Sequence, residues 1–315
     1  MSHVAPAKHL GQHFLNNPRV IARIADAVGV TVGGLEPALR SPNGEVWVAE
    51  IGPGTGALTA ELLRRGAHVL AVEMDTRCIP VLEALSAQHG NRLTVIHGDA
   101  LNLDSWLPHL PAGSPICGNL PYNVGTEIVT RLLTYPSSRP QAVGVEGACP
   151  LTPLGVMPAQ AGIHVTQPSP RDSLFLQPTT YNLQPTLTFM LQKEVIQRLV
   201  ATGGNDHWGR LGVLTHLLSD ATRLFDVGPG NFTPPPKVMS SIVQLRPLPA
   251  PRYPVDMDKL DVLLRAAFGH RRKMLRGSLK GLLTESQIES CGITPTARPE
   301  ELTTHQLCTL ANLLP

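Results

Sequence analysis

A chain of 315 residues that is 42% hydrophobic and 16% charged, with a mean hydropathy of +0.02, can bury one or two domain cores and is neither wholly disordered nor collagen-like. It lacks the ~18 consecutive apolar residues of a membrane-spanning helix, and residues 1–17 lack the apolar run of a secretory signal. The net charge is only +2, so a nucleic-acid partner must be argued from where charge sits and not from its sum.

Along the chain, EVWVAEIG (residues 45–52), HVLAVEMD (68–75), LTVIHGD (93–99) and SPICGN (114–119) are apolar almost throughout. That is the pattern of strands buried on both faces of a parallel sheet. Between the first two, Ala57, Leu58, Leu62 and Leu63 form one helical stripe that stops at Gly66, which makes a βαβ unit. Beyond Asn119, residues 126–135 read as a helix, 186–201 as a strand running into a helix, and 209–220 as a helix. Residues 221–228 and 240–248 read as strands joined by a loop holding Pro234, Pro235 and Pro236, and are expected to pair as an antiparallel edge. A proline-rich linker, PAPRYP (249–254), precedes a stretch with helical period and no β run. The expected organisation is therefore an α/β domain over residues 1–248 and a small all-helical domain over 249–315.

Residues 139–183 fit neither unit. They hold seven prolines, only four charges (Arg139, Glu146, Arg171 and Asp172) and no sustained period, and so read as an insertion. Five cysteines (Cys78, Cys117, Cys149, Cys291 and Cys308) show neither C-x-x-C nor a metal-ligand spacing, so no disulfide framework and no metal are expected, and a reducing cytoplasm fits best.

The first strand ends in Glu50-Ile51-Gly52-Pro53-Gly54-Thr55-Gly56-Ala57. A glycine turn between a strand's carboxyl end and a helix lets ligand polar groups approach bare backbone, at the edge where open α/β sheets bind ligands. With Glu73 and Asp99 closing the next two strands, the edge reads as a nucleoside pocket; a nicotinamide dinucleotide remains a competing ligand, because the glycine pattern also matches that fingerprint. Asn119-Leu120-Pro121-Tyr122 closes the fourth strand. Methylating an exocyclic adenine amine requires acceptors that hold its N–H bonds while the nitrogen moves toward sp³ geometry. The Asn119 side-chain oxygen and the Leu120 carbonyl can supply them, Pro121 restricts Leu120 to extended backbone, and Tyr122 offers a face for the base.

Together these motifs resemble the class I S-adenosylmethionine-dependent methyltransferases, and most closely the small-subunit ribosomal RNA adenine N6,N6-dimethyltransferase family. GQHFLNN (11–17), FMLQKEV (189–195), GRLGV (209–213), FTPPPKVMSSIVQL (232–245) and FGHRRKMLRGSL (268–279) extend the resemblance over nearly everything outside 139–183. The resemblance implies a Rossmann-like, mostly parallel seven-stranded sheet and dimethylation of two adjacent adenines in a hairpin loop near the 3′ end of the rRNA. It implies that His13, Leu15, Gly52, Glu73, Asp99 and Asn119 contact the cofactor, with Glu73 on the ribose hydroxyls and Asp99 on the adenine amine. It also implies that Phe232 sandwiches the flipped base opposite Tyr122. The expected partner is small-subunit rRNA in a pre-ribosomal particle, met by a monomer with no membrane association. The alternatives are a large-subunit rRNA adenine methyltransferase of the resistance type and a non-catalytic assembly factor on the same fold.

Between Val262 and Thr284, Arg265, Arg271, Arg272, Lys273, Arg276 and Lys280 occur with no acid. Six uncompensated cations form a phosphate-binding surface that the whole-chain charge hides, so Arg271, Arg272, Lys273 and Arg276 are expected to contact RNA.

Overall fold

A computed structural model describes residues 12–31, 34–35, 44–135, 185–269 and 273–315. The proposed insertion, and His270, Arg271 and Arg272 of the basic cluster, lie outside the described residues.

The N-terminal arm forms β1 (Phe14–Leu15) and α1 (Pro18–Val28). Asn17 caps this helix by accepting from the Arg19 amide at 2.9 Å, Pro18 takes the first helical position, and Gly29 closes the helix in left-handed backbone. A short hairpin of β2 (Val30–Thr31) and β3 (Gly34–Leu35) follows. Then come β4 (Trp47–Ile51), α2 (Ala57–Arg64), β5 (His68–Glu73), α3 (Ile79–His89), β6 (Leu93–His97), β7 (Ile116–Asn119), α4 (Gly125–Thr134), β8 (Leu187–Gln192) and α5 (Lys193–Leu199). The α/β part ends with α6 (Arg210–Leu218), β9 (Ser219–Val227), β10 (Phe232–Thr233) and β11 (Ser240–Pro247).

The main sheet has the order β6-β5-β4-β7-β8-β11-β9. Its first five strands are parallel, and β11 runs antiparallel to both neighbours. Period 2 divides each strand between two cores. Val48, Val69, Ala71 and Met190 face the layer of α1 and α2. Ala49, Leu70, Val72, Phe189 and Leu191 face Trp106 and the α4 and α5 side. Both faces are dry, which is why these strands read as unbroken apolar runs.

Two expectations need correction. Strands 221–228 and 240–248 do pair, but β11 is an interior strand and only β9 forms the edge. The helix expected to reach residue 220 stops at Leu218, because Ser219 and Asp220 already pair with Pro247 and Arg246.

The C-terminal part contains α7 (Met257–Phe268), α8 (Leu275–Ser278), α9 (Glu285–Ser290) and α10 (Thr304–Asn312). Capping boxes start α9 at Thr284 with Gln287 and α10 at Thr303 with Gln306. Its apolar core crosses residue 248: Ala201, Trp208, Val213 and Leu217 pack with Leu260, Leu264 and Leu307. The Trp208 indole N–H donates to the Leu302 carbonyl at 2.9 Å.

Candidate active site

The carboxyl ends of β4, β5, β6 and β7 meet at one edge, and the cavity there is bordered by Gly52, Gly54, Glu73, Asp99, Asn119, Leu120, Pro121 and Tyr122, with His13 and Leu15 on the arm side. The structure thus brings together every strand-end residue singled out in the sequence. Gly52, Gly54 and Gly56 have φ values of 66°, 57° and 79°, a left-handed backbone that side chains rarely tolerate. A Cβ on Gly54 would lie 2.8 Å from the Phe14 ring, so this turn can support the arm only as glycine.

Glu73 is 6% exposed and holds the turn together. Its Oε2 accepts from the Gly54 amide and its Oε1 from the Asp75 amide, both at 2.8 Å. Burial raises its pKa against the opposing effect of these bonds. With a smaller contribution from the Met74 amide, these bonds leave about one or two of a carboxylate's four acceptor sites for ligand hydroxyls. Glu50 also borders the cavity; it accepts from the Thr59 hydroxyl at 2.6 Å, and burial raises its pKa from 4.5 to about 7. Asp75 is held well below the usual carboxylate range by hydrogen bonds from the Arg77 guanidinium. Among the described residues, the cavity lining holds Glu50, Glu73, Asp75 and Asp99 and neither lysine nor arginine. Such a wall suits a nucleoside carrying positive charge and repels the pyrophosphate of a dinucleotide, so these residues fit S-adenosylmethionine and not the competing ligand left open by the glycine pattern.

At the end of β7, Asn119 Nδ2 donates to the His13 carbonyl at 2.9 Å. The Leu120 N–H donates to Met190 O at 3.1 Å, and the Gly125 N–H to Pro121 O at 2.8 Å. The peptide between β7 and α4 is therefore tied to the sheet on one side and to the helix start on the other. The Tyr122 hydroxyl lies 2.9 Å from Ser240 Oγ, and burial raises its pKa. Asp99 sits at the rim, and its Oδ1 accepts from the Leu101 amide at 2.9 Å.

Phe232 is not among the residues that border the cavity. It is 3% exposed, faces Leu15 in the β1–β10 ladder and belongs to the core beneath the arm. The ring beside Tyr122 is that of His13, with centroids 5.5 Å apart and planes tilted by 32°. Sequence reasoning also passed over Gln12, Asp75 and Ser240. Gln12 Nε2 donates to Asp75 Oδ2 at 2.8 Å, a long-range contact with no local pattern to betray it.

Of the basic cluster, Lys273, Arg276 and Lys280 are exposed. Arg265 is not uncompensated: its Nε lies 2.7 Å from Asp261 Oδ2, one helical turn away and just outside the window that held no acid.

A parallel sheet with one antiparallel insertion, a glycine turn after its first core strand, an acid after the next and N-L-P-Y at the end of β7 define a class I methyltransferase. The family model described as ribosomal RNA adenine dimethylase matches residues 6–315. The chain belongs to that family. Ribosomal RNA small subunit methyltransferase A of Ruegeria sp. (strain TM1040) is 39% identical over 310 residues, covering 98% of this chain and 91% of the relative. The protein of that name from Paracoccus denitrificans (strain Pd 1222) is 40% identical over 307 residues, covering 96% and 89%. Among solved structures, a dimethyladenosine transferase from Plasmodium falciparum superposes with a TM-score of 0.63 at 23% identity, covering 95% of this chain and 96% of that one. The 23S rRNA methyltransferase ErmE gives 0.58 at 22%, covering 96% and 99%.

Proposed function

We propose that this protein dimethylates the N6 amines of two adjacent adenines in a hairpin loop near the 3′ end of small-subunit rRNA, acting as a monomer in the cytoplasm on a pre-ribosomal particle. The observation that carries the reading is the placement of the Asn119 carboxamide and the Tyr122 ring beside a cavity walled by four acidic side chains and a left-handed glycine turn. S-adenosylmethionine, when bound, supplies a methyl group already activated on a sulfonium. Glu73 would take the ribose hydroxyls on its remaining acceptor sites, and Asp99 at the rim would take the adenine amine. Asn119 Oδ1 and the Leu120 carbonyl would hold the target amine in line with the methyl group, with the base stacked on Tyr122. Catalysis by this chain is then positioning and electrostatic stabilisation. The exposed cations Lys273 and Arg276, with Arg271 and Arg272 beside them in the sequence, would hold RNA phosphates.

Labelled methyl incorporation decides the reading. Small subunits purified from a strain lacking the modification should accept methyl groups at the paired adenines, and large subunits should accept none. Transfer to large-subunit RNA alone would move the chain to the resistance type, and no transfer to either would support a non-catalytic assembly factor.

A further inference from the structure

A carboxamide presents an acceptor and a donor of nearly the same shape, and Asn119 can serve an amine only with Oδ1 turned toward it. Its position at the end of β7 does not choose between the two orientations. The choice is made 106 residues away in the chain, by the His13 carbonyl 2.9 Å from Nδ2. A carbonyl oxygen only accepts, so the amide nitrogen must face it and Oδ1 is left for the acceptor side.

His13 is itself fixed on several sides. Its Nδ1 lies 2.8 Å from the Pro234 carbonyl, which requires the proton on that ring nitrogen. On one flank Gln12 is bonded to Asp75. On the other, Phe14 and Leu15 pair with Thr233 and Phe232, and Asn16 Nδ2 donates to Thr233 Oγ1 at 2.7 Å. The imidazole lies against Tyr122, whose hydroxyl meets Ser240. One arm residue therefore touches both groups that would handle the target base.

We propose that His13 is a positioning residue for the methyl acceptor: through its carbonyl it sets the orientation of the Asn119 carboxamide, and through its ring it places Tyr122, whereas the family resemblance assigns it to the cofactor. This rests on the reading that Asn119 receives an adenine amine. Among the contacts that hold the arm, the Nδ1–H bond to Pro234 is the one the His13 side chain itself makes to fix its backbone, so a side chain with an N–H donor at the δ position can replace it. Asparagine is such a side chain.

The test compares His13→Ala with His13→Asn. In His13→Ala, kcat on undermethylated small subunits should fall about ten- to a hundredfold, while KM and the affinity for S-adenosylmethionine stay within about threefold. His13→Asn should recover kcat to within about threefold of the parent protein. A weakened cofactor affinity with kcat intact would overturn the proposal and return His13 to the cofactor, as would an Asn variant no better than Ala. A second measurement does not depend on turnover. In protein labelled with 15N-asparagine, the Asn119 side-chain amide resonance, assigned by its loss in Asn119→Asp, should shift in His13→Ala and return in His13→Asn; an unmoved resonance would overturn the proposal. If the parent protein methylates no rRNA at all, the proposed function fails, and the amide resonance still decides what holds Asn119.

Discussion

Replacing Asn119 by alanine removes an acceptor whose value is greatest when the adenine nitrogen approaches sp³ geometry, so the loss should fall on the transition state more than on binding. We expect kcat to drop by about 10² or more, the scale of removing one preorganised partner, with little change in cofactor affinity; near-parental turnover would show that the amine is held elsewhere. Glu50 gives a different signature. Its carboxyl pKa is raised from 4.5 to about 7 by burial, so the fold favours the neutral acid. Stability is therefore lost as pH rises from about 4.5 through about 7 and is flat above, and the shift corresponds to about 3 kcal/mol. Glu50→Gln should accordingly raise Tm above about pH 7 and lose that advantage below about pH 4.5. Because Glu50 borders the cavity, a cationic cofactor should bind more tightly as pH rises through about 7, a trend that calorimetry at several pH values would find abolished in Glu50→Gln.

At the scale of elements, the parallel strands were legible because burial on two faces leaves a run of apolar residues with no polar alternation. The interior place of β11 was not legible. Ser240, Ser241, Ile242 and Val243 are all buried, yet two serines at a strand start read as an edge, and Ser241 is satisfied through Phe225 O and Asp226 on β9. The two-residue β1 and β10 carry no period at all, and their pairing spans most of the chain. The site shows the same division: its residues at strand ends stand beside turn signals, whereas the bond from Asn119 to His13 ends on a backbone carbonyl and leaves no trace in residue type. For the basic stretch around α8, replacing Lys273 and Arg276 by alanine should weaken RNA binding across sequences and flatten the slope of log K on log salt by about 0.7 to 0.9 for each phosphate no longer neutralised. An unchanged slope would make these cations a solvated face.

Across the whole molecule, the core that holds the C-terminal helices takes in Trp208, Val213 and Leu217 from the α/β part, and Arg252 bridges to Asp220 at 2.7 Å. The two parts are thus coupled through α6, at the far end of the strand order from β6. The segment at residues 139–183 enters elsewhere. It follows α4, whose end is marked by the Tyr135 hydroxyl donating to Asp104 at 2.8 Å, and it precedes β8. In the β7–β8 ladder Ile116 faces Leu187 and Asn119 faces Met190, so β8 begins at the amino edge of the sheet, opposite the edge that carries Glu73 and Asn119. A connection on that side can lengthen without touching the cavity, at about 0.6 kcal/mol of closure entropy per doubling. Excising residues 139–183 and joining Ser138 to Gln184 should therefore leave methyl transfer, cofactor affinity and Tm equal to or above those of the full chain. A deletion variant that keeps its Tm and cofactor affinity but no longer methylates small subunits would instead make the segment part of substrate recognition.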